Sequence, residues 1–132
     1  MMESVLSVLI IEDEPVLAKN IATYLRRYGY EVRTALSAEA GLVELEYFKP
    51  DAILLDFNLP AGMNGLEALA RIREVDRNIK VIMMTAYSSD ELAAKATLAG
   101  ACQFITKPVS VSHLKAILEA AVSDNPPGNP QF

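Results

Sequence analysis

Two stretches of the chain are apolar almost without a break, Val5-Leu6-Ser7-Val8-Leu9-Ile10-Ile11 and Ala52-Ile53-Leu54-Leu55. Runs of this length without alternation predict strands buried on both faces, as in the middle of a parallel sheet flanked by helices. Ile79-Lys80-Val81-Ile82-Met83-Met84 and the shorter Ala101-Cys102-Gln103-Phe104-Ile105 predict two more strands. Tyr30-Glu31-Val32-Arg33-Thr34-Ala35 alternates instead, and so predicts a half-exposed edge strand. Between the strands the period changes to that of a helix. Leu17, Ile21, Leu25 and Tyr28 mark one face, with Pro15 suited to a first helical position and Gly29 placed to end the helix. Ser37 can cap a second helix, whose face is Leu42, Leu45 and Phe48 and whose stop is Lys49-Pro50. Asn64 and Glu67 have the spacing of a capping box ahead of Leu66, Leu69 and Ile72. Ser88 and Glu91 have it too, ahead of an Ala-rich helix from Leu92 to Ala99 that Gly100 closes. A last helix begins near Ser110, with Val111, Leu114, Leu118 and Ala121 at helical spacing.

Strand and helix therefore alternate five times with short connections. That pattern predicts an α/β fold, a doubly wound parallel sheet of five strands with helices on both faces. Strand order 2-1-3-4-5 suits it. The alternating second strand then lies at an edge, and the apolar first and third strands lie in the centre. In that order the ends of strands one and three are adjacent where the winding reverses, which is where open α/β sheets bind ligands.

Composition narrows the picture. A chain of 132 residues, 52% hydrophobic, is enough for one domain with a real core. We expect that domain over residues 1–123, followed by a Pro-rich linker or disordered tail over 124–132. Twelve basic against seventeen acidic side chains leave a formal charge of −5, which argues against direct nucleic-acid binding by this domain. The single cysteine, Cys102, excludes an internal disulfide and fits a reducing compartment. No apolar run approaches the roughly 18 residues of a membrane span, and Met1-Met2-Glu3-Ser4 does not begin a signal peptide. A cytoplasmic location is expected.

The chemistry collects at the strand ends. The first strand runs into Glu12-Asp13-Glu14, and the third ends at Asp56. Glu14 is accounted for as an acid at a helix N-terminus. Glu12, Asp13 and Asp56 would crowd one crevice, and two carboxylates ~4 Å apart repel by roughly 4 kcal/mol at an effective dielectric near 20. Something must offset that: a bound cation, a raised pKa or a nearby lysine. Lys107, after the fifth strand, is one candidate, and a divalent ion is the other. All-oxygen ligands with few protein contacts suit Mg²⁺. Thr85 ends the fourth strand with a hydroxyl, and Ala86 leaves room beside it. Metal, ammonium and hydroxyl around a carboxylate are what phosphoryl transfer requires, with Asp56 as the nucleophile that forms an aspartyl phosphate.

With these residues in place, the chain resembles a response-regulator receiver domain of two-component signalling over roughly residues 4 to 123. The resemblance rests on Val8-Leu9-Ile10-Ile11-Glu12-Asp13-Glu14, Leu54-Leu55-Asp56-Phe57-Asn58-Leu59-Pro60, Met63-Asn64-Gly65-Leu66-Glu67, Met84-Thr85-Ala86, and Gly100-Ala101 through Phe104 to Thr106-Lys107-Pro108. It implies a flavodoxin-like fold and a phosphorylation-dependent switch. Asp56 would take a phosphoryl group from a histidine kinase or a phosphotransfer protein. Asp13, Asp56 and the backbone carbonyl of Asn58 would bind Mg²⁺, with Glu12 acting mostly through a water. Lys107 would pair with the phosphate, ahead of a cis Lys107-Pro108 bond. Thr85 would move onto the phosphate, and Phe104 would swing inward, remodelling the face of helix four, strand five and helix five. The family pattern also makes Asn58 and Tyr87 tuners of hydrolysis, Tyr87 by hindering water through its bulk. The protein would not be a turnover enzyme, since it transfers a phosphoryl group only onto and off itself. An effector domain joined C-terminally and a homodimer formed on phosphorylation are both open under this reading.

The chain departs from the usual pattern at Glu12 (commonly Asp), Phe104 (commonly Tyr) and Asn64 (commonly Asp). Its loop from Asp56 to Gly65 is one residue longer, through Ala61-Gly62. A haloacid-dehalogenase-type phosphatase uses similar groups but places a second Asp where this chain has Asn58. A docking module on the same fold would be signalled by loss of the acids, Thr or Lys, and none is lost. Flavin binding would need a Ser/Thr-rich loop after strand one. Three further features are read as structural: His113 as a surface side chain, Cys102 as a small buried hydrophobe, and Met83 and Met84 as core.

Overall fold

The computed structural model describes residues 6–60, 62–87 and 89–123. Val5, Ala61, Ser88 and the 124–132 tail lie outside them, so the expectations placed on those residues are not addressed. The elements run β1 (Ser7–Ile11), α1 (Pro15–Arg27), β2 (Glu31–Ala35), α2 (Ala38–Glu44), β3 (Ala52–Asp56), α3 (Gly65–Val75), β4 (Lys80–Thr85), α4 (Asp90–Leu98), β5 (Gln103–Thr106) and α5 (Val111–Ser123). The five strands form one parallel sheet in the order β2-β1-β3-β4-β5. This is the expected topology.

Alternation of side chains along the buried strands sorts the helices onto two faces. Leu9, Ile11, Ile53, Leu55, Val81 and Met83 point to the face covered by α2, α3 and α4, where Ala38, Leu69, Ile72 and Ala96 meet them. Val8, Ile10, Leu54, Ile82 and Met84 point to the other, covered by α1 and α5 through Ile21, Leu25, Leu114 and Leu118. Every residue of β1 and β3 is buried. Each large aliphatic side chain so buried contributes roughly 1.5–3 kcal/mol, which makes the central strands the rigid base on which the loops stand. Met83 and Met84 are core residues, as expected.

The helix faces differ from expectation in detail. Tyr28 is not on the buried face of α1. It is the C-cap, exposed, with its ring against Tyr24 and under the Lys115 ammonium, and the buried face is Ala18, Ile21, Ala22 and Leu25. Gly29 ends the helix as expected, with φ +91°, a backbone region open chiefly to glycine. α2 stops at Glu44, so Phe48 reaches the core from the following turn. α4 is capped by Ser89, whose hydroxyl accepts from Leu92 N–H, one residue after the expected Ser88. Ala96 is the one fully buried residue of α4. A helix with so little buried apolar surface has low local stability.

Candidate functional site

Parallel pairing brings the carboxyl ends of the strands to one rim. Ile11 is level with Leu55, so Glu12 and Asp56 each stand one step beyond that pair. Asp56 is level with Met84, and Thr85 with Thr106. Phe57 N–H donates to the Met84 carbonyl at 2.7 Å, and Lys107 N–H donates to the Thr85 carbonyl at 2.6 Å, which extends the sheet's bonding into the loops. Glu12, Asp56 and Thr85 are buried there, and Asp13 is half-buried.

The carboxylates of Glu12, Asp13 and Asp56 each present an oxygen within 4.8 Å of the others. The Lys107 ammonium lies between two of them, donating to Glu12 Oε1 at 2.8 Å and Asp56 Oδ2 at 3.2 Å. Backbone donors complete the acids: Glu14 N–H to Glu12 Oε2 at 3.2 Å, and Asn58 N–H to Asp56 Oδ1 at 2.9 Å. Among the described residues, no buried side-chain nitrogen or oxygen lacks a partner. Burial pushes the Glu12 carboxyl above its ordinary value; the Lys107 hydrogen bond opposes that, and the Asp56 charge adds to it. For Lys107, burial works against the charge, but the Glu12 hydrogen bond and the charges of Asp56 and Glu12 outweigh it and hold the ammonium pKa up. One lysine, shared by Glu12 and Asp56, thus stands against a cluster of three carboxylates. The residual negative charge and all-oxygen donor set suit a hard divalent cation such as Mg²⁺.

Thr85 has no exposed surface. Its hydroxyl donates to Asn58 Oδ1 at 2.7 Å, with Tyr87 O at 3.2 Å as an alternative acceptor, and it accepts from Tyr87 N–H at 3.0 Å. Phe104 is half-buried, its ring edge-on to Phe57 with centroids 6.2 Å apart. Tyr87 stands beside Thr85 with its ring largely exposed. The Lys107-Pro108 peptide bond is cis. His113 is exposed, as expected for a surface side chain. Cys102 is only half-buried, and that burial pushes its thiol up, away from the reactive thiolate.

The loop after β3 is braced from both ends. Asn64 accepts from Glu67 N–H at 2.9 Å while Glu67 accepts from Asn64 N–H at 3.0 Å, the expected capping box. Glu39 of α2 accepts from Met63 N–H at 2.9 Å across that loop. Sequence reasoning missed Glu39, because an acid in a first helical turn is already accounted for by the helix dipole. Gly65 closes the other side. A Cβ there would meet Phe57 Cα at 2.7 Å and Phe57 O at 2.9 Å, both backbone atoms that cannot swing aside. Gly65→Ala is therefore expected to cost about 1–3 kcal/mol, the usual penalty of overpacking, read as a lower urea midpoint. An unchanged midpoint would show that the loop gives way freely.

The response regulator receiver domain family matches residues 8–119. This chain belongs to the response-regulator receiver family. The receiver domain is 35% identical over 119 residues to the chemotaxis protein CheY of Treponema pallidum, covering 88% of this chain and 80% of that protein. It is 36% identical over 117 residues to the transcriptional regulatory protein PdtaR of Mycobacterium tuberculosis, covering 88% of this chain and 56% of the relative. The first curated relatives are longer still in part, and the receiver domain spans between 26% and 56% of their length. Among solved structures, a CheY-like receiver domain from Methanospirillum hungatei superposes with a TM-score of 0.85 at 31% identity, covering 90% of this chain and 94% of that one. A response regulator from Burkholderia pseudomallei with a phosphorylated aspartic acid and a calcium ion superposes at 0.80 with 30% identity, covering 91% and 68%. No helix among the described residues is long and apolar enough to cross a membrane.

Proposed function

We propose that this receiver domain is switched by phosphorylation of Asp56. The observation that carries the reading is the Lys107 ammonium bridging Glu12 and Asp56 while Asp13 completes a cluster of three carboxylates. The phosphorylated aspartate of the Burkholderia pseudomallei relative supports it. A carboxylate oxygen of Asp56 attacks the phosphorus of a phosphohistidine on a sensor kinase or phosphotransfer protein. The new O–P bond forms as the P–N bond breaks, and the imidazole nitrogen keeps the electron pair. Asn58 N–H and Lys107 hold the carboxylate for attack, and Lys107 then stays beside the added charge.

Asp13, Asp56 and the Asn58 carbonyl would hold Mg²⁺, with Glu12 contributing through a water. The ion, when bound, neutralises charge on the phosphoryl oxygens. Thr85 then donates to the phosphoryl group, and Phe104 turns further inward, which changes the α4-β5-α5 face. The domain is a switch rather than a turnover enzyme, because its only reaction is onto and off Asp56. Water attack on phosphorus breaks the same O–P bond and restores the carboxylate. The longer relatives fit an effector domain joined to such a receiver.

The reading is tested by incubation with Mg²⁺ and acetyl phosphate, followed by intact mass. Gain of one phosphoryl group supports it. Failure to gain one, together with failure to bind beryllofluoride, overturns it. Tyr87 sets the rate of loss in this account, its ring narrowing the approach of water. Tyr87→Ala is expected to shorten the phosphoaspartate lifetime, followed as phosphate release, and an unchanged lifetime removes Tyr87 from that role.

A further inference from the structure

We infer that the Asn58 side chain is a latch that holds Thr85 in the unswitched position and sets how readily the site responds. The inference rests on Asp56 as phosphoacceptor and Thr85 as its moving partner. Asn58 Oδ1 is the shorter of two acceptors for the Thr85 hydroxyl, 2.7 Å against 3.2 Å to Tyr87 O. The same oxygen accepts from Ala86 N–H at 3.3 Å, so one amide oxygen ties the end of β4 to the loop after β3. At the other end of the residue, Asn58 N–H holds Asp56 Oδ1. Asn58 thus connects the phosphoacceptor to the hydroxyl that must respond to it.

A hydroxyl has one proton to donate. Thr85 cannot give that proton to Asn58 and to a phosphoryl oxygen at once. The switched state therefore breaks the Asn58–Thr85 bond, and the strength of that bond is subtracted from the affinity for the phosphoryl group. Thr85 is fully buried, so its hydroxyl has little access to water as a substitute partner. Asn58 is exposed, and water satisfies its amide once Thr85 leaves. The latch is thus costly for Thr85 to release only as far as the new acceptor fails to replace it. An Ala at position 58 keeps the backbone N–H to Asp56 and the backbone carbonyl, and removes the acceptor that Thr85 shares with Ala86 N–H. The Thr85 proton then falls to the longer bond with Tyr87 O, a weaker hold.

The test is the affinity for beryllofluoride with Mg²⁺, a phosphoryl mimic, measured by titration calorimetry on four proteins: wild type, Asn58→Ala, Thr85→Val and the double variant. Asn58→Ala is expected to bind about three- to tenfold more tightly than wild type, the range that one net hydrogen bond spans. In the Thr85→Val background, which has no hydroxyl to release, the same change is expected to have a clearly smaller effect on affinity, only the part that comes from freeing Ala86 N–H. Unchanged or weaker binding by Asn58→Ala overturns the latch, as does an equal gain in both backgrounds, which would mean that Asn58 acts on the site without Thr85. Absence of binding by wild type overturns the phosphoacceptor reading itself, and the latch with it. Binding by wild type with no difference among the variants overturns the latch alone.

Discussion

Asp56→Asn is expected to abolish phosphoryl uptake from acetyl phosphate and, in metal-free buffer, to raise the melting temperature. The first effect follows from the loss of the nucleophilic oxygen. An amide oxygen carries no full charge and forms no stable acyl phosphate. The second follows from the electrostatics of the resting site. Asp56 is 2% exposed and shares a cluster with Glu12 and Asp13, against a single lysine. Two repulsions oppose one attraction. The Asp56 charge also helps to push the Glu12 pKa up. Removing it leaves Glu12 and Lys107 as a buried pair, relieves the push on Glu12 and so favours the folded state. Added Mg²⁺ should stabilise wild type in proportion to its occupancy and stabilise the variant less. Intact mass and thermal melts with and without Mg²⁺ check both halves. Uptake by Asp56→Asn would transfer the phosphoacceptor role elsewhere. A lower melting temperature in metal-free buffer would mean that the Lys107 bond outweighs the repulsion.

Lys107→Met should have the largest effect on stability of any change at the site. It removes the one cation from Glu12, which has no exposed surface, and from Asp56. Breaking a buried pair from one side costs about 3 kcal/mol at the lower end of its range. The lower end applies because the Lys107 side chain keeps some contact with water, at 18% exposure. The loss depends on pH in a definite direction. Burial already holds the Glu12 pKa above its ordinary 4.5, with the Lys107 hydrogen bond acting against that rise. Without Lys107 the pKa rises further. A carboxyl with a raised pKa holds its proton in the folded protein where the unfolded chain has released it. Its stabilising contribution is therefore full below the unfolded pKa and is lost as pH climbs through the folded value. In the variant that loss extends to higher pH. Urea unfolding in metal-free buffer should then show a large deficit at pH 7.5 and a smaller one near pH 5. An equal deficit at both would mean that Glu12 is not the group left unpaired. Phosphoryl uptake should fall as well, because Lys107 no longer stands beside the added charge.

The two predictions share a cause that the linear chain states only in part. Residue type and strand ending identify Glu12, Asp13, Asp56, Thr85 and Lys107, because an uninterrupted apolar run that stops at a polar residue marks both a buried strand and its rim. What the run cannot state is which carboxylate oxygen faces the lysine, or that Asn58 turns its amide to Thr85. Those are contacts between residues 27 to 95 positions apart in the chain. The same limit explains the misplaced surface residue. Tyr28 falls on the apolar period of α1, but the helix has already ended there, and its ring meets Lys115 from α5 instead of the core.

The sequence by itself determined the alternation of strand and helix, the parallel sheet and its order, and the set of side chains at the rim. Each of these follows from hydrophobic period and from the rule that crossovers are right-handed, and neither needs knowledge of distant contacts. Only the tertiary structure decided the hydrogen bonds within that rim: Lys107 shared between two acids, Glu39 reaching across to Met63, and Thr85 tied to Asn58. The reason is that such bonds depend on atomic positions to within a few tenths of an ångström. Those positions are set by the packing of the whole sheet against five helices, not by any one segment's preference.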